Sequence, residues 1–175
     1  MPTNGMKILI ADANEVVRRQ LFLSLRKGHA VHEATGRDEA LALLGHVVPD
    51  VVLLDPFDGN EGEERPALAA VQKLLDHPSA PPILIFSRND SKEVAARLMQ
   101  MGVLDVLRKP VEAEELRILL RRVARLRDMG APKADLKPGP AAGQMVADGD
   151  GIAVHMPAPA PGRERPEPMV PRRSG

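Results

Sequence analysis

The stretch Lys7-Ile8-Leu9-Ile10-Ala11-Asp12 sets a short, β-branched and aliphatic run directly before a carboxylate, and the pattern recurs three more times. Val51-Val52-Leu53-Leu54 leads into Asp55, Ile83-Leu84-Ile85-Phe86 into Ser87, and Val103-Leu104-Asp105-Val106-Leu107 into Arg108 and Lys109. Runs this apolar imply strands buried on both faces, as in a parallel sheet. Stretches with helical periodicity lie between them, so Asp12, Asp55, Ser87 and Lys109 gather at one edge of the sheet. In open α/β sheets, ligands bind beyond the carboxyl ends of the strands.

Working outward, residues 6–11 read as a strand and residues 14–27 as a helix, with Val17, Leu21, Leu25 and neighbouring Val16 and Phe22 on its inner side. Asn14 caps its start and Gly28 ends it. Residues 29–34 make a second strand; Ala40, Leu41, Leu43 and Leu44 mark a helix over 37–45 that Gly45 is placed to stop. A third strand over 50–54 is followed by an acidic, glycine-containing loop through Glu64. A helix over 66–77 comes next, with Pro66 suited to its first turn. Strand 82–86, helix 91–101 broken by Gly102, strand 103–107 and helix 112–128 complete the series. Five strand–helix repeats with short links predict a doubly wound α/β sheet with right-handed crossovers and helices on both faces.

From Met129 onward the composition changes: residues 129–175 hold nine Pro and seven Gly without a sustained apolar period. The division is a domain over 1–128 and a disordered Pro/Gly/Ala-rich tail over 129–175. Within the tail, Met156-Pro157-Ala158-Pro159-Ala160-Pro161 favours extended polyproline geometry, as a spacer more than a docking peptide. Asp148-Gly149-Asp150-Gly151 lacks the remaining positions of a calcium loop.

Composition narrows the function. At 175 residues the chain supports an ordinary core without staples. Its 24 Lys and Arg balance 24 Asp and Glu, so its net field gives no reason to expect nucleic acid or an anionic membrane as the main partner. There is no cysteine, hence no disulfide or thiolate metal site, and no apolar stretch approaches the roughly 18 residues of a membrane span. The start, Met1-Pro2-Thr3-Asn4-Gly5, carries no signal pattern, and the reading is cytoplasmic. Three Phe, no Tyr and no Trp leave little for stacking bases. The five histidines are scattered without metal-binding spacing.

The strand-end residues carry the chemistry. Asp55 is placed to attack a phosphoryl donor as a nucleophile. Lys109 offers a cation and Ser87 a hydroxyl to the charge that develops. Mg²⁺ wants hard oxygen ligands, for which Asp12, Asp55 and the Phe57 backbone carbonyl stand ready.

In this ordered set, covering residues 6–128, the chain resembles a response-regulator receiver domain of two-component signalling. Asp12 matches the first acid of the family's acidic pair, Asp55 the phospho-acceptor, Ser87 the switch hydroxyl, and Lys109-Pro110 the family's Lys-Pro with its usual cis bond. The separations fit the family pattern: 43 residues from Asp12 to Asp55, 32 from Asp55 to Ser87 and 54 from Asp55 to Lys109. The resemblance implies a flavodoxin-like five-stranded sheet of order 2-1-3-4-5 with five helices. It also implies a histidine kinase or phosphotransfer protein as donor, and a downstream protein target on the face formed by the fourth helix, fifth strand and fifth helix. No catalysis of its own, no direct DNA binding and no membrane contact are expected.

Several positions depart from the pattern. Ala13 replaces the second acid, so fewer anionic oxygens face Mg²⁺ and its binding is expected to be weak. Arg88 follows Ser87 where the family prefers a small residue, and either crowds the pocket or lends it charge. Val106 stands in place of the aromatic that reports movement of Ser87. Pro56 biases Asp55 toward extended backbone and removes an amide donor. Asp58, Glu61, Glu63 and Glu64 read as a solvated acidic loop, with one of them a possible substitute ligand. Arg117, Arg121, Arg122, Arg125 and Arg127 form a basic, solvated face on the last helix, and no helix-turn-helix follows. Two readings remain: a stand-alone receiver phosphorylated on Asp55 that acts by binding proteins, or a pseudo-receiver that binds independently of phosphorylation. An independent enzyme of flavodoxin-like fold finds no glycine-rich phosphate loop to support it.

Overall fold

The structure is a computed structural model that describes residues 5–130. The predicted tail, from residue 131 on, lies outside the described residues. Strands β1 (Lys7–Ala11), β2 (Ala30–Ala34), β3 (Val51–Leu54), β4 (Ile83–Ser87) and β5 (Asp105–Arg108) form one parallel sheet in the order β2-β1-β3-β4-β5. Helices α1 (Glu15–Leu25), α2 (Arg37–Val47), α3 (Glu64–Leu75), α4 (Lys92–Met101) and α5 (Ala113–Asp128) alternate with them. This is the flavodoxin-like order expected from the sequence.

Alternation along each strand divides the interior into two layers. Leu9 and Ala11 of β1, with Val52 and Leu54 of β3, pack beneath Leu44, Val71 and Leu98 of α2, α3 and α4. Ile8 and Ile10, with Leu53, pack beneath Leu25 of α1 and Leu116, Leu120 and Val123 of α5. With both faces covered, the central strands are fully buried, which is why their sequence is continuously apolar. The register pairs Ala11 with Leu54 and Phe86 with Leu107, bringing the polar residues that follow to a common edge.

Helix ends follow local chemistry. The Asn14 side chain accepts from the amides of Val16 and Val17, as its cap assignment requires. Ser91 accepts from Val94 at the start of α4, and Gly102, at φ 107°, takes the left-handed position that closes it. Pro66 lies in the first turn of α3, which begins at Glu64 and ends at Leu75.

Several expectations change. Gly45 lies inside α2 and does not stop it; the helix runs to Val47, and Val48 closes it at φ 47°. The reason is Pro49, which disfavours the helical region for the residue before it. Val16 is exposed at 65%, because its position on α1 lies a full 100° from that of Val17, which packs inward. Helix α1 ends at Leu25, before Gly28, whose amide bonds back to the Leu25 carbonyl within the turn. β5 starts at Asp105, with Val103 and Leu104 buried in its approach.

Candidate functional site

Adjacent strands deliver the four predicted residues to one place. Asp12 follows β1, Asp55 follows β3, Ser87 ends β4, and Lys109 follows β5; Asp12 and Asp55 are each 1% exposed and Ser87 is 3% exposed. The Lys109 ammonium bridges the two acids, with Nζ 2.7 Å from Asp12 Oδ2 and 2.5 Å from Asp55 Oδ2. Its chain also lies against the ring of Phe86, Nζ standing 5.0 Å from the ring centre. Lys109-Pro110 is a cis peptide. Ser87 sits at the neighbouring strand end, but its oxygen accepts the Asn89 amide at 2.9 Å and makes no hydrogen bond to Asp55.

Each acid has a fixed second oxygen. Asp12 Oδ1 accepts the Asn14 amide at 2.7 Å, and Asp55 Oδ1 accepts the Phe57 amide at 3.0 Å. The Asp55 amide continues the ladder to Ala11, so its Cα is held as firmly as the sheet. Pro56 removes one amide from this loop, yet the next one binds the carboxylate. Two buried carboxylates sharing one ammonium leave a net negative pocket, a composition suited to a cation or to an electrophile that accepts charge from Asp55.

The donor set fits Mg²⁺ at its lower limit. Asp12 and Asp55 offer hard carboxylate oxygens, and the Phe57 carbonyl, which also accepts the Asn60 amide, retains a second lone pair. Mg²⁺ commonly uses one or two carboxylates and keeps several waters, and two carboxylates remain here with no acid at position 13. Among the described residues, no group of three or more His, Cys, Asp or Glu is placed to hold a metal ion.

Several residues that shape the site had no assigned role in the sequence. Arg18 of α1 donates to the Asp12 carbonyl at 2.7 Å and pairs with Glu33 at 3.4 Å, fixing the end of β1 from behind. Arg37 of α2 donates to the Pro56 carbonyl at 2.8 Å and pairs with Asp58 at 3.4 Å. That grip needs Gly36, where an added Cβ would stand 2.9 Å from Asp58 Oδ1. Phe57, whose carbonyl the sequence offered to Mg²⁺, gains a second role by burying its ring in the core between β3 and the α2–α3 side. A helical Arg or a loop Phe is common in any sequence, so only the spatial neighbour identifies these roles.

The acidic loop divides. Asp58 is held by Arg37, although burial raises its pKa against the opposing Arg37 amide and charge. Glu63 and Glu64 are exposed, as a solvated loop requires. Glu61 turns inward: its Oε2 is buried with no hydrogen-bond partner, and its pKa is raised first by burial and then by the charge of Asp55. Arg88 exposes its side chain and borders a cavity of about 810 Å³ between α1 and α5 that Lys109 also lines. Val106 is half-buried against the core beneath α4.

Comparison with known proteins agrees with this geometry. The chain is 28% identical over 124 residues to the regulatory protein AtoC of Escherichia coli, covering 70% of this chain and 26% of that protein. It is 30% identical over 125 residues to a positive alginate biosynthesis regulatory protein of Pseudomonas aeruginosa, covering 69% of this chain and 48% of the other. The chain thus spans less than half the length of either relative. Among solved structures, the receiver domain of the Francisella response regulator 1452 superimposes with a TM-score of 0.62 at 22% identity, over 70% of this chain and 99% of that one. NtrX from Brucella abortus gives 0.62 at 25% identity, over 75% and 30%. The response regulator receiver domain family model matches residues 8–121, and with its sheet order and strand-end acids the chain belongs to that family.

Proposed function

We propose that the chain receives a phosphoryl group on Asp55 from a histidine kinase or phosphotransfer protein and acts by binding a downstream protein. The observation that carries this is the Lys109 ammonium shared by two buried carboxylates at three parallel strand ends. Asp55 Oδ2 attacks phosphorus; the new O–P bond forms as the donor's P–N bond breaks, and its electron pair leaves on the imidazole nitrogen. Lys109, already beside Oδ2, follows the charge onto the phosphoryl oxygens. Ser87 meets the same group once its hydroxyl rotates toward Asp55. Asp12, Asp55 and the Phe57 carbonyl are the residues that would hold Mg²⁺, which would add positive charge beside the phosphoryl oxygens, and with Ala13 in place of a second acid they would hold it weakly.

The output face is α4, β5 and α5. Ile118 and Met129 are 57% and 70% exposed on or just after α5, beside Arg121 and Arg125, an apolar and basic surface suited to a protein target. Stand-alone action, a cytoplasmic location and a domain limit at Asp128 belong to the same proposal. No helix among the described residues is long and apolar enough to cross a membrane.

A specific feature favours the second reading, that of a phosphorylation-independent binding module. Ala13 removes one acid, and Lys109 already satisfies the two that remain. Incubation with Mg²⁺ and a small acyl-phosphate donor separates the readings by intact mass. A single added phosphoryl group on wild type, absent from Asp55→Asn, supports the acceptor. No gain on wild type with gain on Ala13→Asp supports the module.

A further inference from the structure

Four acidic side chains follow Asp55 in its loop, and one of them enters the site. Two turns fold this segment back: the Asn60 amide donates to the Phe57 carbonyl at 2.9 Å, and the Glu63 amide to the Asn60 carbonyl at 3.0 Å. The Asn89 side chain then donates to the Glu61 carbonyl at 3.0 Å, tying the loop to the turn after β4. Glu61 is thereby directed at the strand ends, with Oε2 out of water and unpartnered. A buried, orphaned carboxylate oxygen is costly and calls for an explanation.

Its surroundings supply one. The groups that favour its ionised form are the amides of Arg88 and Asn89 and the Lys109 ammonium, and the group that opposes it is Asp55. A phosphoryl group on Asp55 would require the same donors: Lys109, and the amides that follow Ser87.

We propose that Glu61 is a built-in anion held beside Asp55, in the space that a phosphoryl group on Asp55 would enter, so that phosphorylation must displace it. The inference rests on the reading of Asp55 as acceptor. Before phosphorylation Glu61 opposes the approach of an anionic donor. Afterwards the phosphoryl group, carrying about two negative charges, repels Glu61. The tether through Asn89 then transmits the change to the turn that precedes α4, a route that does not need an aromatic at Val106.

The test compares wild type with Glu61→Gln, which keeps size and removes charge, each alone and with Ala13→Asp. Intact mass follows labelling by a small acyl phosphate with Mg²⁺. Glu61→Gln is expected to label about tenfold faster, the effect of one pKa unit of charge interaction. Its Mn²⁺ affinity, read from water proton relaxation, is expected to stay unchanged. Equal labelling rates overturn the inference and leave Asp55 as acceptor; a loss of Mn²⁺ binding overturns it by making Glu61 a metal ligand. If neither single chain labels, the acceptor reading fails for the natural protein, and the rates in the Ala13→Asp background decide the role of Glu61. If nothing labels, the amide resonances of Arg88 and Asn89 decide it: a shift in Glu61→Gln supports the contact, and unmoved resonances overturn it.

Discussion

Lys109 is the residue whose loss the site tolerates least. Its side chain is 8% exposed and is shared between two carboxylates that are themselves buried. Lys109→Met removes the cation and strands both acids, so a loss of about 3–5 kcal/mol is expected in urea denaturation at pH 7. Adding Asp12→Asn should recover part of it. His29 gives a pH dependence of a different origin. Its Nδ1 accepts the Met6 amide at 3.2 Å, which requires the neutral ring, and burial followed by the charge of Arg127 lowers its pKa from 6.5. A lowered histidine pKa means the unfolded chain binds the proton more readily. The contribution is therefore complete above about pH 6.5 and declines as pH falls through and below it. Thermal melts at pH 7.5 and 5.5 should show wild type losing more Tm than His29→Gln. At this scale Asp12, Asp55, Ser87 and Lys109 were legible because each follows a buried strand, a position that sequence reveals. Glu61 was not, since Asp58, Glu61, Glu63 and Glu64 are equivalent in composition and only the fold sends one inward.

The elements are bounded by single residues whose chemistry is local. Ser91 caps α4, the helix that leads from Ser87 to the proposed output face, through an Oγ that accepts the Val94 amide at 3.2 Å. Ser91→Ala should cost about 1 kcal/mol in chemical denaturation while leaving the circular dichroism spectrum unchanged. The caps at Asn14 and Ser91 and the left-handed Gly102 could be read along the chain because each works within one turn of helix. The end of α2 shows the limit of that approach: a glycine signals a stop only when the next residues cannot continue, and here Pro49 sets the end. The exposure of Val16 has a similar cause: on α1 it stands 100° from Val17, and Val17 takes the inward position.

Among the described residues, the five strands and five helices close by Asp128, and both core layers draw on residues within 5–130. A chain ending after Gly130 should therefore melt at the same temperature as the full-length protein; a clear drop would place part of the stabilising core beyond that point. On the proposed output face, Ile118→Glu should leave Tm within about a degree, since exposed substitutions are nearly neutral, while weakening capture of the downstream partner. The sheet, its parallel character and the edge where four candidate site residues meet follow from the residues alone. Strand burial and helix periodicity are written in neighbouring residues, and open α/β sheets present their carboxyl ends in one direction. Long-range packing alone sets the bridge from Lys109 to Asp12 and Asp55, the grip of Arg37 on the loop after Asp55, and the inward turn of Glu61. Those contacts join residues far apart along the chain, up to the 97 positions between Asp12 and Lys109, and no local pattern encodes a distance that the fold alone brings to 2.7 Å.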